Sequence, residues 1–251
     1  NSKTTSLYND LTSTYYNISA SCNVFIGTDT GYSNLYGSGN TYVGYCSGYS
    51  GTSVITFGIF SSDVEQSASS NTYVGYRTGF SNKIGTNNTY IGFDAGYSGT
   101  QSGNNTFIGS DAGCMNTANY NTFVGAFSGP VNTTGTYNSF FGDGSGLFNT
   151  TGSCNTFIGM ISGCMNTTGG FNTFMGALSG LNNKNGSNNT YLGYCTGAAG
   201  TQSTQNTFIG SKSGRSNTTA SGNTFVGAVS GEFNTTGTDN SFFGNGSGNG
   251  N

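Results

Sequence analysis

The pentapeptide Asn-Thr-(Phe/Tyr)-aliphatic-Gly starts at Asn40, Asn71, Asn88, Asn105, Asn121, Asn155, Asn172, Asn189, Asn206 and Asn223, with close variants at Asn23, Asn138 and Asn240. Nearly every step is 17 residues. The exceptions are a 16-residue step from Asn105 to Asn121 and a 31-residue step from Asn40 to Asn71, within which Thr56-Phe57-Gly58 reads as one degenerate copy. About fourteen copies therefore fill residues 23–251, and residues 1–22 stand outside the period. A fixed short period confines the chain to a solenoid, in which neighbouring copies stack to share a core that none forms alone.

The idealised copy reads N-T-F-I-G-x-x-S-G-x-x-N-T-T-G-x-x. Its glycines, 44 in 251 residues overall, and its N-T-T-G turn exclude a helix. The N-T-F-I stretch favours strand, while Gly at the fifth and ninth places, as in Gly125 and Gly129, supplies bends that a side chain would obstruct. The expected fold is an all-β solenoid (β-roll or β-helix) of about fourteen 17-residue coils, each adding about 4.8 Å along the axis. A longer period lies above this one. The segment from Asn121 recurs almost unchanged from Asn223, six copies on, which implies duplication of a six-coil block.

Two columns are apolar. The third place is aromatic in Phe25, Tyr42, Tyr73, Tyr90, Phe107, Phe123, Phe140, Phe157, Phe174, Tyr191, Phe208, Phe225 and Phe242. The fourth is apolar throughout, for example Val124, Ile158, Leu192 and Val226. Successive strand residues point to opposite faces, so one column lines the coil and the other faces outward and needs a cover. We expect the aliphatic column inside and the aromatic column, Phe107, Phe123, Phe140, Phe157, Phe174, Phe208, Phe225 and Phe242, outside as a packing and assembly surface. Thr in the second place shares a face with the aliphatic residue in the fourth.

Eleven Asn-x-Ser/Thr acceptors occur, at Asn17, Asn87, Asn104, Asn132, Asn149, Asn166, Asn185, Asn188, Asn217, Asn234 and Asn245. Five of them, Asn132, Asn149, Asn166, Asn217 and Asn234, head N-T-T turns in one column, which predicts an exposed ladder of acceptors for covalent glycans. The six cysteines fall in three columns: Cys22 with Cys154, Cys46 with Cys195, and Cys114 with Cys164. Partners within a column stand three coils apart or more, about 14 Å, too far for a disulfide within one chain. Bridging across columns and free buried thiols both remain open.

Composition argues against chemistry at a site. There is no His and no Trp, with six basic residues against nine acidic ones, so general acid–base catalysis and metal binding have few candidates. Asp94, Asp111 and Asp143 read as scattered, solvent-facing residues. A net charge of -3 without a basic cluster does not suit nucleic acid, and we expect no cofactor, no metal and no enzymatic activity. Residues 1–20 hold no apolar run suited to a signal peptide or membrane span.

Runs such as Ile108-Gly109-Ser110-Asp111-Ala112-Gly113 and Ile158-Gly159-Met160-Ile161-Ser162-Gly163 are similar to the aliphatic-Gly-x-x-small motif of left-handed β-helices. The whole unit resembles the 17-residue repeats of bacterial and phage trimeric fibre proteins, related to trimeric autotransporter adhesin heads. That resemblance implies three parallel left-handed β-rolls about a three-fold axis and an extracellular attachment role. The expectation that follows is an extracellular or cell-surface structural protein: a subunit of a filament or surface fibre that self-associates head to tail or as a parallel trimer, with residues 1–22 as cap or joint. The alternative is an adhesin or phage tail-fibre head that binds cell-surface glycans.

Overall fold

The computed structural model describes residues 21–32, 34, 37–49 and 68–249; residues 1–20, with the acceptor Asn17, and the degenerate copy at 56–58 lie outside the described residues. The described residues are all-β, a solenoid of parallel strands about 17 residues apart with no helix. The chain divides into two compact units, Asn1–Asn119 and Tyr120–Asn251. The division falls at the shortened, 16-residue step.

The first unit carries β1 (Val24–Ile26), β2 (Thr41–Val43), β3 (Thr72–Tyr76), β4 (Thr89–Phe93) and β5 (Thr106–Ile108). Each pairs with the next in parallel and in register with the repeat. Strand β2 pairs directly with β3, Thr41 opposite Thr72, so the ladder runs straight across the 31-residue step. The degenerate copy has no Asn at its first place, and the asparagine ladder passes over it: the Asn71 amide donates to Asn40 Oδ1 at 3.0 Å. Among the described residues, thirteen strands therefore stand where fourteen coils were expected.

The second unit carries β6 (Thr122–Val124), β7 (Ser139–Phe141), β8 (Thr156–Ile158), β9 (Thr173–Met175), β10 (Thr190–Leu192), β11 (Thr207–Ile209), β12 (Thr224–Val226) and β13 (Ser241–Phe243), again parallel and in register. Parallel pairing is dictated by the solenoid path, since each coil returns to the same edge in the same direction.

The aromatic column fills the interior, which reverses the expected assignment of inside and outside. Phe107, Phe123, Phe140, Phe157, Phe174, Phe208 and Phe225 are 0% exposed, and Phe242, last in the column, is half-buried. Rings of successive coils stack at 4.8–5.0 Å in the second unit, with interplanar angles no larger than 14°. The physical reason lies at the ninth place. A Cβ on Gly163 would stand 2.5 Å from the Phe157 ring, so the ring lies flat over a glycine that only a bare backbone can supply. The aliphatic side chain one residue on then points to solvent.

Polar columns complete the core. Each first-place Asn ties two coils together: Asn155 donates from Nδ2 to the Gly169 carbonyl of its own coil at 2.8 Å, while its Oδ1 accepts the Asn172 amide of the next at 3.0 Å. The eighth-place Ser reaches forward as well, Ser145 Oγ donating to the Phe157 carbonyl at 3.1 Å. Buried amide and hydroxyl groups are costly unless bonded, so these columns hold the coils in one register.

Candidate assembly face and acceptor columns

The outward face of each unit is built from the second and fourth places of its strands. In the second unit Thr122, Thr156, Thr190 and their equivalents stand beside Val124, Phe141, Ile158, Met175, Leu192, Ile209, Val226 and Phe243. Thr and aliphatic side chains share that face, as the alternation requires. Leu192 is 43% exposed and Phe243 68%, whereas the rings one residue earlier are buried or half-buried. The apolar stripe that calls for a partner is therefore the aliphatic column.

The N-T-T acceptors are not on the surface. Asn132, Asn149, Asn166 and Asn217 are fully buried and Asn234 nearly so, which overturns the expected exposed ladder. The reason is the turn itself. Asn166 Nδ2 donates to the Gly169 carbonyl at 3.0 Å, closing an Asx-type turn, and also to Asn149 Oδ1 at 2.6 Å; Asn149 in turn donates to Asn132 at 2.8 Å. The turn residue that makes a good acceptor motif is here an internal rung. The following threonines do face outward, and Thr150 Oγ1 donates to the Thr167 carbonyl of the next coil at 3.0 Å. Asn87, Asn104, Asn185, Asn188 and Asn245 are exposed, but they occupy three different columns.

All six cysteines are free thiols, and Cys46 and Cys164 are buried. Burial pushes the Cys114 thiol up to about 11 and raises Cys164 as well, so these thiols stay protonated at neutral pH. Asp94 is not the scattered surface residue expected. It accepts from Arg77 Nε at 2.8 Å and is also bound by Arg77 Nη2, in a bidentate pair between adjacent coils; the guanidinium lies 5.0–5.8 Å from the Tyr76, Phe93 and Tyr97 rings. Arg215 and Glu232 pair at 3.2 Å in the same 17-residue relation. Both are ties between coils. No group of three or more His, Cys, Asp or Glu that could hold a metal ion occurs among the described residues. No helix among them is long and apolar enough to cross a membrane.

The structure also exposes a coupling between two distant places of the copy. Where the third place is Phe, the twelfth is Asn, as in Phe157 with Asn166; where it is Tyr in the coils of Tyr90 and Tyr191, the twelfth is Gly99 or Gly200. The Tyr191 hydroxyl lies 3.1 Å from Ser203 Oγ, in the region a twelfth-place carboxamide would enter. Burial pushes the Tyr90 and Tyr191 hydroxyls up to about 12, so both remain neutral. The exception, Tyr73, bonds its own Asn82 directly. With Gly200 in the column the ladder is cut: Asn183 Oδ1, which would accept from a carboxamide at that place, and Asn217 Nδ2, which would donate to it, are buried without a partner.

Gly200→Asn alone should therefore destabilise by about 1–3 kcal/mol through crowding, its Cβ already 2.7 Å from Ser203 Oγ. Adding Tyr191→Phe and Ser203→Gly should restore stability to at least that of the parent, because the introduced carboxamide then bridges Asn183 and Asn217 in a continuous ladder. Denaturant titration of the single and triple variants checks this. Additive losses would show that the two places are independent.

The fold and its surfaces define a class: an all-β solenoid whose interior is solid with rings and asparagines and whose outer strand faces are apolar. Comparison of the chain with protein-family models, curated proteins and solved structures finds no match.

Proposed function

We propose that the chain is a structural subunit of an extracellular filament or surface fibre, acting through shape and self-association rather than through chemistry at a site. The observation that carries this reading is the outward column of eight apolar side chains in the second unit, flanked by uncharged Thr and Ser. Covering such a stripe is worth about 25 cal/mol per Å² of apolar surface, which favours association over a bare face. The resemblance of the repeat to fibre and adhesin-head repeats supports the same reading, as does a coil whose polar ladders fix each copy rigidly on its neighbours. Mass measurement and electron microscopy of the full chain test it: concentration-dependent oligomers or fibres are expected, and a monodisperse monomer at high concentration would sink the proposal.

Glycan decoration, if the fibre carries it, belongs to the exposed acceptors. A buried Asn whose Nδ2 already donates to the carbonyl of its own turn, as at Asn132, Asn149 and Asn166, has no room for a sugar once the coil has closed. Glycopeptide mass spectrometry on native material is expected to find modification at Asn87, Asn104, Asn185, Asn188 or Asn245 and none at Asn132, Asn149 or Asn166. Occupancy of the N-T-T column would contradict the burial argument, and a wholly unmodified chain would remove glycans from the reading.

A further inference from the structure

The coil that β10 opens departs from the coils before it at three interior places at once. In the copies of Phe123, Phe140, Phe157 and Phe174 the twelfth place is Asn and the fifteenth is Gly; in the copy of Tyr191 they are Gly200 and Ser203. We propose that this coil binds one buried water molecule at Gly200, seated between the Asn183 and Asn217 carboxamides, which carries the asparagine ladder across the one rung without a side chain. The site lies inside the second unit and is independent of the reading of the chain as a fibre subunit.

The polar atoms are the first observation. In the intact ladder each Nδ2 donates to Oδ1 of the rung before, as Asn149 does to Asn132 and Asn166 to Asn149. Across Gly200 the corresponding atoms are Asn183 Oδ1 and Asn217 Nδ2. Together with Asn217 Oδ1, they are the buried side-chain nitrogen and oxygen atoms without a partner among the described residues. Both asparagines are 0% exposed. Asn183 is fixed in orientation, because its Nδ2 donates to Asn166 Oδ1 at 3.2 Å and to the Gly186 carbonyl at 2.9 Å, so its oxygen needs a donor. Asn217 lacks the turn bond that Asn166 makes to Gly169. A Cβ on Gly169 would stand 2.5 Å from Asn166 Oδ1, and at Asn217 the equivalent residue is Ala220, which carries that Cβ.

Space is the second. Relative to the copy of Phe157, the change from Asn to Gly at the twelfth place removes four non-hydrogen side-chain atoms, the change from Gly to Ser at the fifteenth returns two, and the change from Phe to Tyr at the third returns one. The returned atoms lie in the same part of the coil: Ser203 Oγ is 2.7 Å from where a Cβ of Gly200 would stand and 3.1 Å from the Tyr191 hydroxyl. The coil is thus one non-hydrogen atom short, the size of one water. Chemistry is the third. The occupant must donate to Asn183 Oδ1 and accept from Asn217 Nδ2, and water does both, with the Ser203 and Tyr191 hydroxyls close by. A cation would meet an N–H donor and has no Asp or Glu within residues 172–231 to neutralise it. Burying both carboxamide atoms unbonded costs more than immobilising one water. The other Gly-Thr-Gln-Ser quartet, from Gly99, shows that glycine alone does not make the seat. One coil earlier Asn82 Nδ2 donates to the Tyr73 hydroxyl and Asn82 Oδ1 accepts the Gly85 amide at 2.8 Å, so Asn82 awaits no rung at Gly99.

Two measurements on the full chain test the seat. A crystal structure that resolves ordered solvent should show one water within hydrogen-bond reach of both Asn183 Oδ1 and the Asn217 carboxamide. A dry space there overturns the proposal, as do carboxamides turned onto protein partners or a peak with the short, oxygen-only contacts of a metal ion. In solution, magnetic relaxation dispersion of the solvent nuclei counts long-lived buried waters. The variant carrying Tyr191→Phe, Gly200→Asn and Ser203→Gly restores the carboxamide rung, and it should hold one long-lived water fewer than the parent protein. Equal counts would mean that the rung displaces no bound water and would overturn the seat. If the triple variant does not fold, the crystal structure of the parent protein decides by itself.

Discussion

Phe157→Ser should melt the coil while Ile158→Ser leaves it folded. The two side chains are adjacent, similar in apolar character and equally regular in the repeat, yet Phe157 is fully buried between the rings of Phe140 and Phe174 at 4.8 and 4.9 Å, whereas Ile158 reaches solvent. Removing a buried ring costs about 3–5 kcal/mol, because the stack above and below cannot collapse into the gap. The exposed neighbour should cost within about 1 kcal/mol. The same contrast is expected for Phe123 against Val124 and for Phe225 against Val226. Thermal melts followed by circular dichroism read it directly. A folded Phe157→Ser with an unfolded Ile158→Ser would invert the interior described above.

The second large effect is expected at the fifth-place glycines. Gly142 has φ 131°, and a Cβ there would stand 2.6 Å from the Gly159 carbonyl oxygen and 2.7 Å from its carbon, both backbone atoms of the next coil. Gly142→Ala therefore combines an unfavourable backbone conformation with a collision that no rotamer relieves. Gly244 separates the two contributions, since its φ is 112° but nothing lies within 4 Å of the added Cβ. Gly244→Ala should cost about 1–3 kcal/mol, the conformational part alone. Gly142→Ala should exceed it by several-fold and abolish cooperative folding of the second unit. Equal losses at the two sites would show that the coils can spread to admit a methyl group, and the close stacking at that place would then not be limiting.

The period, the strand at its head and the need for glycine at the fifth and ninth places were legible in the sequence, because a repeat constrains every copy at once. Some of what was missed had a signal. The aromatic column is nearly uniform while the aliphatic column wanders among Val, Ile, Leu, Met and Phe, and a column that tolerates such variation is one that does not have to fit a closed core. The alternation of Tyr with Gly and Phe with Asn between the third and twelfth places was likewise present in the letters. Its meaning depends on the ring tip and the carboxamide meeting inside one coil, which linear spacing does not reveal. Other features had no such signal. The seventh and seventeenth places take left-handed backbone even at Ile161 (φ 58°) and Phe171 (φ 59°), where no turn-forming residue announces it.

The sequence by itself determined that this chain is a stack of short parallel strands in fixed register, since a 17-residue copy too small to own a core must share one with its neighbours, and identical copies can share it in only one alignment. Which of two adjacent apolar columns lies inside, and whether the N-T-T asparagines are acceptors or rungs, only the tertiary structure decided. Both depend on where the turn carries the backbone after the strand. The ring is drawn inward by a glycine six residues on, and the twelfth-place carboxamide is drawn inward by backbone groups that would otherwise be buried without partners.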